Sequence, residues 1–225
     1  MTMAKTDAAA GRHRIGVDIG GTFTDVVLWD VAGSKTQKTK LLTTPDDPSR
    51  AVMEGIRRIL SDCAIPPGKV DAVIHGTTLV ANALIERKGV KTGLITTRGF
   101  RDVLEIGREW RYDLFDLGIE MPVPIADRPE REEITERLDS NGNVVTELEL
   151  AELDDIALRF SESGVESVGV CLLHAYRNPA HELAVRRRLA EIAPSLSVSL
   201  SSVVSAEMGE YERSSTTVAN AYVHP

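Results

Sequence analysis

The most informative part of the sequence is RIGVDIGGTFTDVVLW, which runs from Arg14 to Trp29. Two apolar runs flank the pair Gly20-Gly21, and this pattern predicts a β-strand, a tight turn and a second β-strand. Asp18 stands near the end of the first predicted strand, where an apolar run would normally continue. Three more polar side chains follow the turn, which are Thr22, Thr24 and Asp25. The stretch therefore predicts a β-hairpin with polar chemistry at its tip.

This tip has the features of a phosphate site. Glycines let a phosphate approach the backbone closely, and successive N–H groups in a turn can form an anion-binding nest. A carboxylate beside the turn, here Asp18, can hold Mg²⁺ through water, because Mg²⁺ gives up its hydration reluctantly. The alternative interpretation is an ordinary Gly-Gly hairpin with an aspartate that caps the turn.

Length and composition restrict the classes of protein to consider. The chain has 225 residues, of which 42% are hydrophobic and 27% charged, as in a globular protein of one large or two small domains. Its formal net charge of −8 argues against general binding to nucleic acids or to anionic membrane surfaces. No apolar stretch approaches the roughly 20 residues that span a bilayer. Residues 1–12 are expected to form a frayed lead-in.

The cysteine content also restricts the classes of protein to consider. Cys63 and Cys171 are too few for a disulfide framework or for a cysteine-based zinc site. Buried free thiols are the expectation, and they fit a protein of the reducing cytoplasm.

After the hairpin the pattern alternates between strands and helices. Lys35–Thr43 predicts a polar strand at a sheet edge, and Asp47-Pro48 predicts the start of a helix. Val70–His75 and Val90–Thr96 predict buried strands of the kind found in parallel sheets. The order β-β-β-α-β-α-β predicts an α/β fold in which one mixed sheet combines three antiparallel strands with βα units.

A second polar stretch, His75-Gly-Thr-Thr78, stands between a predicted strand and a predicted helix. This arrangement places free N–H groups and the hydroxyls of Thr77 and Thr78 at a helix N-terminus, which is a natural anion site. The alternative is that one threonine only caps the helix and that His75 is a hydrogen-bonded residue at a strand end.

Residues 98–127 break the alternation, because the segment is long, rich in arginine and aromatic residues, and nearly without periodicity. Arg108 and Arg111 can each grip a carboxylate or a phosphate through two hydrogen bonds, or they can pair with nearby acidic side chains. We expect a small inserted subdomain over about residues 98–146, which includes a hairpin with a type I′ turn at Asn141-Gly142.

The rest of the chain returns to strands and helices. Thr146–Glu149 predicts a capping box that opens a helix, and Glu166–Leu173 predicts a central strand. A polar stretch further on contains Glu210 and Arg213. A carboxylate there can act as acid or base and the arginine can bind an anion, or the stretch is a capped helix start with a solvated acidic face.

Three stretches carry a resemblance to one family. Asp18-Ile-Gly-Gly-Thr-Phe-Thr-Asp25 is the first, and His75-Gly-Thr-Thr-Leu-Val-Ala-Asn82 is the second. The third is Glu210-Tyr-Glu-Arg-Ser-Ser-Thr216, which leads to Asn220-Ala-Tyr222. Together they resemble the N-terminal region of the hydantoinase A/5-oxoprolinase family. The hairpin also resembles the first phosphate-binding hairpin of the actin, sugar kinase and heat-shock chaperone ATPase superfamily.

The resemblance implies a ribonuclease-H-like half of an actin-like ATPase. It implies a domain over residues 13–205 and the start of a further domain over residues 206–225. Family members are several times longer than this chain, and their second half supplies another phosphate-binding hairpin and the adenosine contacts. By resemblance, the chain is the N-terminal domain of a larger enzyme, holds half of an ATP site and is inactive alone.

The resemblance also implies an activity. The parent enzyme uses ATP and Mg²⁺ to phosphorylate an amide carbonyl oxygen of hydantoin or 5-oxoproline before water opens the ring. Asp18 and Asp25 are the expected catalytic residues, and Asp18 also holds Mg²⁺ through water. The expected phosphate ligands are Gly20, Gly21, Thr22 and Thr24. The expected substrate contacts are His75, Thr77, Thr78, Arg108, Glu210 and Arg213.

The same motifs leave other functions open. An acetone-carboxylase-type subunit that phosphorylates a ketone or bicarbonate fits them equally, and a small-molecule kinase of the same superfamily is a further alternative. A non-catalytic half-domain for assembly is the third alternative, and it should tolerate Asp18→Asn. The resemblance implies an oligomer with a second catalytic subunit or C-terminal domain of hydantoinase B type, and no nucleic-acid or membrane partner.

Overall fold

The computed structural model describes residues 13–110, 113 and 115–225. The chain divides between Arg87 and Lys88 into two compact units. The predicted lead-in, residues 1–12, and the candidate anion ligand Arg111 lie outside the described residues. None of the described helices is both long enough and apolar enough to cross a membrane.

Within its described part, residues 13–87, the first unit contains four strands and two α-helices. They are β1 (His13–Ile19), β2 (Phe23–Asp30), β3 (Lys35–Leu42), α1 (Pro48–Asp62), β4 (Val70–Thr77) and α2 (Leu79–Ile85). The strands form one sheet in the order β3-β2-β1-β4. β2 is antiparallel to both β1 and β3, and β4 is parallel to β1. This arrangement confirms the predicted hairpin and the polar third strand at a sheet edge.

Helix α1 packs on one face of this sheet. Alternate residues of the hairpin strands, Ile15 and Val17 among them, are buried in a cluster with Ile59 of the helix. The helix begins as predicted, because the carboxylate of Asp47 accepts a hydrogen bond from the N–H of Ser49 at 3.0 Å. Gly55 allows the close approach of the helix, since a Cβ there would lie 2.6 Å from a methyl group of Val26.

Strand β4 is longer and more exposed than the sequence predicts. It continues to Thr77, and Val73 and Ile74 are 49% and 65% exposed. The prediction of a buried strand is wrong because β4 is the edge strand of its sheet and α2 contributes no buried residue. Apolar composition does not separate the two cases, since burial depends on neighbours that lie elsewhere in the chain.

The second unit contains six strands and five helices among its described residues. They are β5 (Thr92–Thr97), α3 (Val103–Ile106), β6 (Arg131–Ile134), β7 (Arg137–Leu138), β8 (Val144–Thr146), α4 (Glu152–Ser163), β9 (Ser167–Cys171), α5 (Ala180–Ile192), β10 (Ser197–Leu200), α6 (Ser201–Val204) and α7 (Glu210–Val223). Four strands form a parallel sheet in the order β10-β9-β5-β6, which confirms β9 as a central strand.

The main core of the second unit lies between this sheet and helices α4 and α5. Leu153, Ile156 and Phe160 of α4 are buried in it with Val185 and Leu189 of α5. Helix α4 ends as its sequence predicts, because Gly164 adopts the left-handed conformation with φ of +74°.

Strand β5 corrects the predicted sheet. The sequence predicts that it extends the sheet of the hairpin, but it lies in the sheet of the second unit. There β9 pairs with one edge of β5 and β6 pairs with the other. A strand has only two hydrogen-bonding edges, so none is left for β4. The α/β class and the mixed sheet of antiparallel and parallel strands are confirmed for β1–β4, whereas the extension of that sheet by β5 is wrong.

The segment expected to form an inserted subdomain is partly built into this sheet, because β6 pairs with β5. The hairpin of β7 and β8 is present, but its turn is not of type I′. That type needs positive φ at both Asn141 and Gly142, and only Gly142 has it, at +86°. The turn instead spans Asp139–Gly142, where the N–H of Gly142 donates to the carbonyl of Asp139 at 3.0 Å.

Two further boundaries differ from the predicted ones. Helix α4 begins at Glu152 rather than at the predicted capping box, because the N–H of Glu149 donates to the carbonyl of Thr135 at 3.0 Å instead. Helix α7 was expected to open a further domain. In the structure its residues Val218 and Ala221 are buried, and the helix packs against β9 and β10 of the second unit.

Candidate functional site

The tip of the first hairpin is the first candidate site. The N–H of Gly20 donates to the carbonyl of Phe23 at 2.9 Å, which closes the turn. Gly21 and Thr22 between them are exposed. A Cβ at Gly21 would lie 3.2 Å from the amide nitrogen of Asn82 in α2, so the tip lies against the first turns of that helix. The tip therefore offers an exposed backbone without side-chain bulk at the position predicted to bind phosphate.

A residue that the sequence analysis did not identify supports this tip from below. The hydroxyl of Thr43 donates to the carbonyl of Gly20 at 2.8 Å, and the N–H of Thr43 donates to the carbonyl of Thr22 at 2.9 Å. The hydroxyls of Thr43 and Thr24 are also hydrogen-bonded, at 2.9 Å. Thr43 follows β3, and only the pairing of β2 with β3 brings it under the turn.

The carboxylates of Asp18 and Asp25 lie on one face of the hairpin, because the two residues are direct partners across β1 and β2. Asp25 is partly neutralised by Lys40, whose Nζ lies 3.1 Å from its carboxylate. On the other side of Asp18 stands Gly76 of β4, where a Cβ would meet nothing within 4 Å. The exposed carboxylate of Asp18 therefore borders open space.

This pair of carboxylates fits a magnesium ion that keeps most of its water. Among the described residues, no three or more His, Cys, Asp or Glu side chains form a group that could hold a metal ion. A closed protein cage is therefore not formed there. Mg²⁺ in phosphoryl-transfer sites usually needs only one or two carboxylates, together with water and the phosphates themselves.

The register separates two predicted residues from this face. Thr24 is fully buried on the helix-covered face, and its hydroxyl bonds to Thr43 rather than reaching the exposed tip. His75 is paired with Val17, whose side chain also points to that opposite face. Because side chains alternate along a strand, neither residue lies beside Asp18. The structure does not bring them to the open side of the hairpin.

Thr77 and Thr78 lie at the junction of β4 and α2, next to the end of β1. The hydroxyl of Thr77 donates to the carbonyl of Ile19 and accepts from the N–H of Leu79, each at 3.1 Å. The N–H of Thr78 donates to the same carbonyl at 3.1 Å. The bond from Leu79 is a capping bond at the start of α2, as expected if a threonine there only caps the helix. Both threonines nevertheless remain exposed.

A second candidate site is a cavity of about 680 Å³ in the second unit. It lies between residues 99–103, residues 106–108 and the start of α7, and it contains two predicted substrate contacts, Arg108 and Glu210. Arg108 forms an ion pair with Glu212, and its hydrogen bond lowers the pKa of that carboxyl group. Glu210 is exposed in the first turn of α7.

Arg213, the third predicted contact of this unit, occupies a structural position. It is only 2% exposed. Its guanidinium donates to the carbonyl of Leu172 at 2.8 Å, to the hydroxyl of Ser201 at 3.1 Å and to the carbonyl of Glu207 at 3.0 Å. These bonds fasten α7 to the end of β9. A side chain that binds a substrate must be accessible, whereas the side chain of Arg213 is buried.

Comparison with known proteins identifies the family. A family model described as "Hydantoinase/oxoprolinase N-terminal region" matches residues 14–193, from the first hairpin to the end of α5. The chain belongs to this family. As a hydantoinase/oxoprolinase N-terminal region, it has relatives among both archaeal and eukaryotic proteins.

Three curated relatives of this hydantoinase/oxoprolinase region differ in organism and in the activity that their names give. An uncharacterized protein of Methanocaldococcus jannaschii is 40% identical over 216 residues, which cover 95% of this chain and 31% of that protein. 5-Oxoprolinase 1 of Arabidopsis thaliana is 32% identical, and the match covers 96% of this chain and 19% of that protein. The acetophenone carboxylase gamma subunit of Aromatoleum aromaticum is 33% identical, and the match covers 94% of this chain and 31% of that subunit. The chain thus spans a third or less of the length of these relatives.

Two solved structures resemble this family member closely. The nucleotide-free structure of an acetone carboxylase matches with a TM-score of 0.86 at 24% identity, over 95% of this chain and 32% of that one. The ATP-dependent caprolactamase of Pseudomonas jessenii matches with a TM-score of 0.75 at 35% identity, over 93% of this chain and 31% of that one. The first likeness concerns the fold alone.

Proposed function

We propose that this chain is the N-terminal part of an ATP-dependent enzyme of the cyclic-amide hydrolase type. The observation that carries the proposal is the exposed backbone of Gly21 and Thr22 beside the accessible carboxylate of Asp18. Membership in the hydantoinase/oxoprolinase family and the similarity to a protein named ATP-dependent caprolactamase support it. The substrate, the partner subunit and the activity of the whole protein belong to the proposal.

The proposed reaction moves the terminal phosphoryl group of ATP to the amide carbonyl oxygen, with ADP as the leaving group. Water then adds to the activated carbon, the ring C–N bond breaks to leave an amine and an acyl phosphate, and a second water hydrolyses the acyl phosphate to a carboxylate and inorganic phosphate. In this scheme Gly21 and Thr22 bind phosphate oxygens through their N–H groups and the exposed hydroxyl, while Gly20, whose N–H donates to the carbonyl of Phe23, shapes the turn. Asp18 would hold Mg²⁺ through water, and Asp25 would support it from the neighbouring strand. Such an ion would neutralise charge on the phosphate oxygens.

Titration calorimetry of Mg·ATP into the chain tests the nucleotide site. We expect weak binding that Asp18→Asn weakens by about 10-fold, because a lost charged contact is worth roughly 1.5–3 kcal/mol. Asp62→Asn is the matched control, since Asp62 is an exposed aspartate at the far end of α1. The same titrations are run on a protein extended beyond Pro225 to the length of the relatives, and absence of binding there would exclude the ATP-dependent function.

One specific observation supports a second candidate function. The relative named acetophenone carboxylase gamma subunit is 33% identical to this chain, about as similar as 5-oxoprolinase 1. A carboxylase-type enzyme would phosphorylate a ketone or bicarbonate with the same hairpin. ADP formation by the extended protein, measured with 5-oxoproline, caprolactam and hydantoin and separately with acetophenone plus bicarbonate, distinguishes the two functions.

A further inference from the structure

The tip of the first hairpin is in contact with a side chain that is distant in sequence. A Cβ at Gly21 would lie 3.2 Å from Nδ2 of Asn82, so this amide lies where any residue other than glycine would carry its side chain. A Cβ at Gly20 would lie 3.9 Å from the hydroxyl oxygen of Thr78. Asn82 is the fourth residue of α2. Two polar groups of the second polar stretch therefore lie beside the glycine pair of the first.

The backbone fixes Asn82 in this position. β4 pairs with β1 as far as Thr77 and Ile19, and Ile19 is the residue before the two glycines. The hydroxyl of Thr77 and the N–H of Thr78 both donate to the carbonyl of Ile19 at 3.1 Å. The N–H of Asn82 donates in turn to the carbonyl of Thr78 at 2.8 Å. The first turn of α2 is thus fastened to the hairpin, and Asn82 is carried to the tip with it.

The side-chain amide of Asn82 has donor capacity left for a ligand. Nδ2 carries two hydrogens, and its one hydrogen bond to a described residue is a long one, to the hydroxyl of Thr78 at 3.4 Å. Asn82 is partly exposed, and the neighbouring Gly21 and Thr22 are exposed. The amide therefore lies at an accessible part of the tip.

The groups that meet at this place are mainly hydrogen-bond donors. The turn offers the backbone of Gly21 and Thr22 and the hydroxyl of Thr22, and α2 and the residue before it add the amide of Asn82 and the hydroxyl of Thr78. A set of neutral donors directed at one place suits an anion with several oxygens, because each oxygen accepts more than one hydrogen bond. A phosphate group is such an anion.

We propose that Asn82 is a phosphate-binding residue of this site, and that its side-chain amide donates a hydrogen bond to a phosphate oxygen held at Gly21 and Thr22. This role rests on the proposed function, to which it adds a ligand from a second segment of the chain. It also gives the second polar stretch a function that His75 does not supply, since His75 lies on the opposite face of the sheet from Asp18.

Titration calorimetry tests this role with two probes, Mg·ATP and magnesium tripolyphosphate, which lacks the adenosine. We expect Asn82→Ala to weaken the binding of both probes by about 10-fold, because a hydrogen bond to a charged group is lost. Asn82→Asp should weaken both further than Asn82→Ala, since a carboxylate beside phosphate oxygens repels them. A residue that only supported the tip would give the opposite order, because aspartate preserves the size and shape of asparagine.

Gln37→Glu is the matched control for the added charge. Gln37 is exposed on β3 and pairs with Leu28, near the other end of the hairpin, so this variant should bind both probes as the wild type does. Urea unfolding checks that all variants are folded. The variants are also compared in the protein extended beyond Pro225, where the binding of nucleotide is expected to be stronger.

The outcomes separate this role from the proposed function. Equal affinity of wild type and Asn82→Ala, or tighter binding by Asn82→Asp than by Asn82→Ala, would overturn the role of Asn82 and leave the ATP-dependent function intact. Absence of Mg·ATP binding by both the chain and the extended protein would overturn the proposed function, and the role of Asn82 with it.

Discussion

Thr43 holds the tip of the hairpin through three hydrogen bonds, to Gly20, Thr22 and Thr24. It is 8% exposed, so water cannot easily replace these bonds. Thr43 is not expected to contact phosphate itself. It holds the backbone of the turn that is proposed to bind phosphate, so it is a positioning residue of the proposed site.

Replacement of Thr43 by valine removes the hydroxyl and preserves the shape of the side chain. The carbonyl of Gly20 and the hydroxyl of Thr24 then lose a partner, so we expect a loss of about 1–3 kcal/mol in the free energy of unfolding. Urea unfolding measures it. Binding of Mg·ATP should weaken in parallel, and Thr43→Ser should restore both quantities because it keeps the hydroxyl.

Thr36→Val is the matched control for this prediction. Thr36 lies at the other end of β3 and is exposed, so its replacement should change the free energy of unfolding by less than about 0.5 kcal/mol. If Thr43→Val were as stable as Thr36→Val, the hydrogen bonds to the turn would not be important for the hairpin.

At the level of elements, the packing of α1 on its sheet depends on a glycine. A Cβ at Gly55 would lie 2.6 Å from Val26 and 2.8 Å from Leu41, which is closer than side chains tolerate. The helix therefore approaches the hairpin strands more closely than an alanine would permit. This approach contributes to the burial of the apolar cluster that supports the Asp18 strand.

Gly55→Ala tests the importance of this packing, because two effects of opposite sign compete. Helix propensity favours alanine by about 1 kcal/mol, whereas overpacking of a core costs about 1–3 kcal/mol. We expect the overpacking to dominate and the free energy of unfolding to fall by up to about 2 kcal/mol. Glu54→Ala, at an exposed neighbouring position of the same helix, should be nearly neutral. A stabilised Gly55→Ala protein would contradict the close packing.

The strands show how far periodicity can predict a sheet. β5 and β9 read as buried parallel strands, and both are buried along their whole length. β4 has a similar apolar composition, yet it is an edge strand with exposed Val73 and Ile74. Periodicity reports the conformation of a segment, but the choice of its neighbours is made by contacts between residues far apart in sequence.

For the whole molecule, acidic residues dominate the charge, with a net charge of −8. Several carboxyl groups have a lowered pKa because a cation or a backbone N–H bonds the ionised form. Arg128 lowers the pKa of Asp102 and Arg108 lowers that of Glu212. Asn143 lowers the pKa of Asp139 through hydrogen bonds. The folded state therefore holds these protons less tightly than the unfolded chain.

The sign of the resulting pH dependence follows directly. The stability that these groups contribute is fully present above their unfolded pKa values, which are close to the ordinary 3.8 for aspartate and 4.5 for glutamate. It is lost as the pH falls through the lower pKa values of the folded state. Urea unfolding should therefore give a steady free energy between pH 7 and 5 and a falling one below about 4.5. Asp102→Asn should reduce the fall, and an unchanged acid profile in that variant would contradict the role of the Arg128 pair.

Local sequence patterns were enough to predict the hairpin, the position of Asp18 beside two glycines, the start of α1 at Asp47 and the family. These features are local, because turn chemistry, capping and the alternation of side chains act over a few residues. Three other features became visible in the folded protein: Thr43 supports the turn, β5 lies outside the sheet of the hairpin, and Arg213 is buried. Each of these outcomes depends on strand register and packing between distant parts of the chain, which no local pattern encodes.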